Sequence, residues 1–237
     1  MIKCSSFFKK INYKFILSFI LCLIPLMLSV KIAEAATVRN FMQRYSSNDK
    51  GDIEIIGNGL MDCGPNAYTA IPTPCSSAKN GQSQTNDIQN QFYLMKYLDQ
   101  DTNSNTFNSS SSALNLPPSS DVLWAGLYWS GDIADGFPVP NSDPSGPAAV
   151  NPSAKNKMLF KTPGAAAYSN ILSQQSDYVV LSPQNPREYY QEFADVTNVV
   201  KAAGNGTYWG ANVQAGLGSN INASWELVVV YSNPNEP

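Results

Sequence analysis

Two runs of this sequence are apolar at nearly every position, and they constrain the fold more than any other feature. They cover residues 122–129 and 225–231. A run that is apolar at successive positions is typical of a central strand that is covered on both faces. The β-branched residues of the second run also favour the pleated surface of a sheet. We therefore predict that both runs are central strands with a neighbour on each side.

The other predicted strands are short and are flanked by Gly, Pro, Asn or Ser, as is usual in all-β proteins. They cover residues 52–56, 91–98, 157–161, 177–181, 189–193 and 206–213. One short helix is predicted over residues 195–203, where Gly204 can end it. Residues 99–120 and 131–156 are rich in small polar residues and predict long loops. The expected fold class is all-β, as a β-sandwich or jelly-roll-like domain with long loops.

The first 35 residues carry the pattern of a secretory signal peptide. Four lysines within the first fourteen positions precede an apolar stretch over residues 15–30, and Ala33-Glu34-Ala35 then supplies small residues where signal peptidase reads. The stretch is short for a membrane span, although an uncleaved anchor is the alternative. We predict a helical signal peptide over residues 1–35, cleavage after Ala35 and an extracellular domain over residues 36–237.

Cleavage after Ala35 changes the charge of the chain. It removes five lysines and Glu34, so that ten basic and seventeen acidic residues remain and the net charge is near −7. An acidic chain without a basic cluster is a poor partner for nucleic acid or for an anionic membrane surface. We expect neither partner, and no membrane span once the signal peptide is removed.

Two cysteines, Cys63 and Cys75, belong to the predicted mature domain and lie in a Pro-rich stretch. In the oxidising compartment outside the cell, such a pair is most simply a disulfide. Closing so short a loop adds roughly 3 kcal/mol of stability. A zinc pair is the alternative, but the sequence has no His, and no third Cys remains to complete a site.

The absence of His removes the commonest general base and the Ser–His and Cys–His nucleophile pairs. A pair of carboxylates, as in glycosidases, is the remaining catalytic arrangement. No spacing singles out a pair among the acidic residues, which include Asp132, Asp135, Glu188, Glu192 and Asp195. We predict that the chain is not an enzyme.

Oxygen-bearing side chains alternate at Asp99, Asp101, Asn103 and Asn105. A tight loop can point such side chains inward around a hard cation, so the pattern is a candidate calcium site. An EF-hand is excluded, because Ser stands where that loop needs its central glycine and again where it needs its closing glutamate. A looser calcium loop and an ordinary Asn/Ser-rich turn stay open, and no other cofactor is expected.

The tryptophans offer a second candidate site. Most of them sit inside apolar strand sequences, where core packing is the simpler interpretation. Trp209 is the exception, because it lies between Tyr208 and Gly210. Trp209 and Tyr208 are therefore candidate ligand-binding residues, in the manner of the sugar-stacking aromatics of carbohydrate-binding modules.

Several stretches together resemble a known family. They are residues 51–63, 106–112, 195–197, 206–208, 211–214 and 225–231, and, most specifically, the run Leu-Trp-Ala-Gly-Leu-Tyr-Trp over residues 123–129. They are similar to the N-terminal domain of large bacterial surface proteins that carry DUF11-type conserved repeats downstream. The resemblance implies a secreted, cell-surface, adhesin-like protein that contacts an extracellular ligand or a host or cell-wall surface.

The same resemblance implies that more β-structure and repeats follow the last strand, so we expect this chain to be truncated at its C-terminus. It supplies no catalytic residues. A jelly-roll carbohydrate-binding module with a structural calcium is the alternative function.

Overall fold

The computed structural model describes residues 40–66, 73–82, 89–135, 146–181 and 187–236. The predicted signal peptide, residues 1–35, lies outside these ranges. The described chain is mostly antiparallel β-structure, which confirms the all-β prediction. Its strands are β1 (Gly51–Gly59), β2 (Met61–Asn66), β3 (Tyr93–Tyr97), β4 (Ser109–Leu114), β5 (Asp121–Asp132), β6 (Lys157–Lys161), β7 (Ser169–Leu172), β8 (Gln175–Leu181), β9 (Arg187–Asp195), β10 (Gly206–Ala211) and β11 (Ala223–Ser232). Its helices are α1 (Cys75–Lys79) and α2 (Thr197–Ala203).

The larger sheet has five strands in the order β1-β11-β5-β9-β8, and every neighbouring pair is antiparallel. Strand β11 lies between β1 and β5, and β5 lies between β11 and β9. Both apolar runs are therefore central strands with two neighbours, and this prediction is confirmed.

The smaller sheet has four strands in the order β4-β10-β6-β7, and a two-stranded ladder joins β2 to β3. The two main sheets bury their facing sides in one hydrophobic core, which gives a sandwich-like arrangement. On β11, alternate side chains from Ala223 to Tyr231 are buried, whereas the intervening ones are not. This period of two is what a sheet with one face on the core requires.

Trp225 of the larger sheet contacts residues of the smaller sheet. Its indole Nε1 donates a hydrogen bond of 2.9 Å to Oγ of Ser110 on β4, and its ring centroid lies 6.1 Å from that of Phe160 on β6. A side chain on Gly210 would place its Cβ 2.5 Å from the same indole ring. Small residues on β4 and β10 therefore make room for this tryptophan.

The chain N-terminal to β1 crosses the outer face of the larger sheet, the face directed away from the core. The ring of Tyr45 stacks on Trp124 of β5 at a centroid distance of 6.1 Å, and the guanidinium of Arg44 lies 3.8 Å from the ring centroid of Phe193 on β9. Strand β5 is thus covered on both faces at Trp124, as its sequence predicts.

One of the predicted loops is partly wrong. Residues 99–120 contain strand β4, which pairs with β10 along its whole length. The sequence of β4 is mostly serine, which carries no apolar signal, and it is a strand because β10 offers it a partner and Trp225 needs a small neighbour. Within the other predicted loop, residues 136–145 lie outside the described chain.

Candidate functional site

The sulfurs of Cys63 and Cys75 are bonded to each other, with their Cα atoms 5.7 Å apart. The bond joins β2 to the first residue of α1, and this part of the prediction is confirmed. Nearby, Nζ of Lys79 forms an ion pair of 2.8 Å with Asp62. The carboxylate of Asp62 lies close to both sulfurs. Two sulfurs joined in a disulfide are not thiolates, so this cluster has no free thiolate with which to hold zinc.

The predicted calcium loop brings its two aspartates together. The hydroxyl of Ser109 lies 2.8 Å from Oδ1 of Asp99 and 3.0 Å from Oδ1 of Asp101. The hydroxyl of Thr106 lies 2.9 Å from Oδ1 of Asp101 as well. The two carboxylates therefore converge on a pair of hydroxyl groups supplied by the start of β4 and the turn before it.

The two asparagines of the pattern are used differently. Oδ1 of Asn103 accepts a hydrogen bond of 3.0 Å from the backbone N–H of Asn105, and Oδ1 of Asp101 accepts one of 3.1 Å from the N–H of Asn103. These are side-chain-to-backbone bonds of the kind that stabilise turns. The backbone carbonyl of Asn105 accepts a hydrogen bond from Asn212. Calcium binding by this loop stays a prediction.

Several hydrogen bonds hold Asp101 in its charged form. Partial burial raises its pKa, but hydrogen bonds from Tyr168, from the N–H of Asn103 and from Thr106 and Ser109 outweigh this effect and lower the pKa to about 2. The pKa of Tyr168 is raised in turn, by burial and by its hydrogen bond to Asp101. At neutral pH a charged Asp101 therefore accepts a hydrogen bond from a protonated Tyr168.

Tyr208 and Trp209 are neighbours on β10 and point to opposite faces of the smaller sheet. The side chain of Tyr208 is fully buried beside Phe160, and its hydroxyl donates a hydrogen bond of 2.7 Å to the carbonyl of Gly204. The structure thus places Tyr208 in the core, out of reach of a ligand at the surface. Trp209 is partly exposed on the outer face.

Lys161 on β6 links the two predicted sites. Its Nζ lies 4.9 Å from the ring centroid of Trp209 and 4.9 Å from that of Tyr168, so the ammonium contacts both rings. The hydroxyl of Tyr168 bonds to Asp101 at 2.6 Å. Trp209, Lys161, Tyr168 and Asp101 form one continuous group, which we call the Trp209 platform.

The sequence did not single out Lys161 or Tyr168. Lys161 ends a predicted strand, but its position opposite Trp209 depends on the pairing of β10 with β6, which a single sequence does not specify. Tyr168 precedes β7, for which we predicted no strand. The sequence alone shows that a lysine and a tyrosine occur in this part of the chain, but not that they lie beside Trp209 and Asp101.

Three of the acidic residues considered for catalysis have side-chain partners within the protein. Asp132 is fully buried and forms an ion pair with Arg187, while Tyr178 donates a hydrogen bond of 2.7 Å to Glu188. Oε1 of Glu192, also fully buried, accepts a hydrogen bond of 2.6 Å from Ser176. Each of these contacts gives its carboxylate a role in holding strands or loops together.

The two remaining residues of that set, Asp195 and Asp135, each accept a hydrogen bond. Oδ1 of Asp195 accepts a hydrogen bond from the N–H of Thr197 at the start of α2, and the backbone carbonyl of Asp135 accepts one from Arg187. The absence of catalysis stays a prediction.

No protein family, curated protein or solved structure matches this chain. Among the helices in the described part of the chain, none has the length and apolar character needed to cross a lipid bilayer.

Proposed function

We propose that this chain is an exported bacterial cell-surface protein, and that its β-sandwich domain works by display and adhesion rather than by catalysis. The observation that carries the proposal is the bond between Cys63 and Cys75. Disulfides form and persist outside the reducing cytosol. The signal-peptide pattern of residues 1–35 supports the same compartment, and the resemblance to repeat-carrying surface proteins supports the role.

The proposal is tested by producing the full chain with its own N-terminus in a bacterium and trapping free thiols by alkylation before lysis. We expect material outside the cytoplasm that begins at Ala36 and carries Cys63 and Cys75 unalkylated and joined. The variant Cys63→Ser, in which Cys75 must become alkylated, is the matched control. Recovery of the uncleaved chain from the cytosol with both thiols alkylated would refute export.

The Trp209 platform favours a second function, carbohydrate binding. A partly exposed indole ring can lie against the apolar face of a sugar ring, and a few polar groups beside it then fix the orientation of the sugar. Lys161, Tyr168 and Asp101 provide an ammonium, a hydroxyl and a carboxylate at that position. These are donors and acceptors for sugar hydroxyl groups.

We propose to test it by fluorescence titration with a panel of soluble cell-wall and host glycans. Binding at the platform predicts quenching that saturates, that disappears in Trp209→Ala and that persists in Thr207→Ala, a change at an exposed neighbour on the same strand. If no glycan changes the emission of the wild-type protein, the carbohydrate function is wrong, whereas the export result above is unaffected.

Calcium is tested separately, by calorimetric titration of the protein with calcium chloride. A calcium loop predicts saturable heat that is lost in Asp101→Asn and retained in Asp49→Asn, which removes one carboxylate outside the loop. Equal heats from the three proteins would leave the loop as a hydrogen-bonded turn.

A further inference from the structure

The outer face of the larger sheet carries a groove of about 620 Å³ that none of the functions above uses. Its floor consists of side chains from three adjacent strands, namely Ile53 of β1, Val228 and Val230 of β11, and Trp124 and Tyr128 of β5. Its wall is the chain segment over residues 43–49. A volume of this size lies within the range of sites that hold small organic ligands.

The composition of the floor is unusual for a sheet face that meets water. Antiparallel sheets ordinarily turn polar side chains toward solvent. Here Ile53 is 55% exposed and its neighbour on the same face, Ile55, is 58% exposed. A contiguous apolar surface with a polar rim is the usual mark of a binding site.

Charged residues of opposite sign lie at the two sides of the groove. The guanidinium of Arg44 stands at its β9 side, over the ring of Phe193, whereas Asp49 and Asp52 lie at its β1 side. Three strand spacings separate β9 from β1, which is about 14 Å. Among the residues that the structure describes, Arg44 forms no ion pair with an acidic residue. It lines both this groove and a smaller cavity beside it, which Asp177 and Glu192 also line.

We propose that this groove binds an organic anion with an aromatic or branched apolar body, and that the anionic group of the ligand faces Arg44. The apolar body replaces water over Ile53, Val228 and Val230, which supplies the affinity. The guanidinium supplies the orientation, because a cation stacked on an aromatic ring still presents its N–H groups to an anion. The two aspartates disfavour the reverse orientation.

The test uses two dyes that share one aromatic body. They are 8-anilinonaphthalene-1-sulfonate, which carries a sulfonate, and N-phenyl-1-naphthylamine, which carries no charge. We expect one saturable site for each dye, with energy transfer from the tryptophans of the domain. The variant Arg44→Gln should weaken the anionic dye by about two- to fivefold and leave the neutral dye unchanged. The control Lys157→Gln removes an exposed lysine elsewhere and should change neither.

The apolar floor is tested with Ile53→Thr and Val228→Thr, which keep a β-branched side chain and so preserve the strands. Both should weaken both dyes by about threefold or more, because Val228→Thr replaces a methyl group of the floor by a hydroxyl and Ile53→Thr replaces an ethyl group by a hydroxyl. Val180→Thr, a change of an equally exposed aliphatic residue on β8, is the control.

Three results overturn the proposal. One is dye binding that the floor variants do not change. Another is an affinity for the anionic dye that Arg44→Gln leaves as it is in the wild type. The third is the absence of saturable dye binding, whether the protein sediments as a monomer or as a dimer in which a second copy occupies this face.

Discussion

The hydroxyl of Tyr168 donates a hydrogen bond of 2.6 Å to Oδ2 of Asp101, and it thereby ties the loop before β4 to the segment before β7. The two residues are distant in the sequence and precede β4 and β7, the two outermost strands of the smaller sheet. Lys161 lies beside the tyrosine ring, so the same contact places a carboxylate, a phenol and an ammonium on one surface.

Tyr168→Phe should lower the free energy of unfolding at pH 7 by about 0.5–1 kcal/mol, since the lost bond reaches a charged acceptor that is partly open to solvent. Because the pKa of Asp101 is lowered to about 2, this carboxylate contributes stability above pH 4 that is lost as the pH falls toward 2. The variant should show a shallower loss over that window. Urea unfolding at pH 7, 4 and 2.5 measures both effects. If the free energy of unfolding of the variant falls with pH as steeply as that of the wild type below pH 4, Tyr168 does not stabilise the charged form of Asp101.

Glu192→Gln should stabilise the protein at neutral pH. Burial raises the pKa of Glu192, and this effect outweighs the nearby Ser173 and Ser176 hydroxyls and the charge of Lys155. A carboxyl whose pKa is raised by folding contributes stability at low pH that is lost as the pH rises through its folded pKa. The neutral amide avoids that loss. Thermal unfolding at pH 4 and pH 8 should show a higher midpoint for the variant only at pH 8.

The control for this prediction is Glu226→Gln, a change at an exposed position of β11. The difference between the thermal unfolding midpoints at pH 4 and pH 8 should be the same in this variant as in the wild type. A lower midpoint for Glu192→Gln at pH 8 would show that the charge of Glu192 is favourable in the core.

Reduction of the Cys63–Cys75 bond should lower the free energy of unfolding by roughly 3 kcal/mol, the value expected for opening a loop of this length. The measurement is denaturant unfolding with and without dithiothreitol. The double variant Cys63→Ser/Cys75→Ser should match the reduced protein and should not respond to dithiothreitol. If dithiothreitol does not change the denaturant unfolding curve of the wild-type protein, the segment that the bond closes does not contribute to the stability of the fold.

Gly210→Ala should destabilise the domain by about 1–3 kcal/mol, because its methyl group would lie 2.5 Å from the ring of Trp225 in a closely packed core. Gly59→Ala is the matched control at the end of β1, where the nearest atom is 4.0 Å from the added carbon. Tryptophan fluorescence during urea unfolding reports both. Equal free energies of unfolding for the two variants would mean that the two sheets can move apart to admit the methyl group without a loss of stability.

Most strands could be predicted from the sequence, because the segments that form the core carry apolar residues at the spacing of a strand. Strand β6 coincides with the predicted segment, and β11 extends its prediction by only a few residues. Strand β4 could not be predicted in this way. Its serines are selected by the partner strand and by the indole of Trp225, and neither is visible in local sequence.

The candidate site was predictable only in pieces. The alternating oxygens of the loop that begins at Asp99 and the unusual setting of Trp209 each stand out in the sequence. Their connection through Lys161 and Tyr168 depends on strand register and on a long-range hydrogen bond. The groove on the larger sheet was missed for a related reason. The apolar residues of β5 and β11 were assigned to burial on both faces, whereas Val228 and Val230 remain partly exposed.

The position of β11 in the larger sheet has a consequence for the order in which the domain can form. This strand joins β1 to β5, yet it is synthesised about 170 residues after the first and about 100 after the second. Until β11 is synthesised, no strand connects β1 to β5, and the larger sheet is incomplete. Pairing across such sequence distances is slow. The larger sheet therefore cannot be completed before the last strand of the domain has been synthesised.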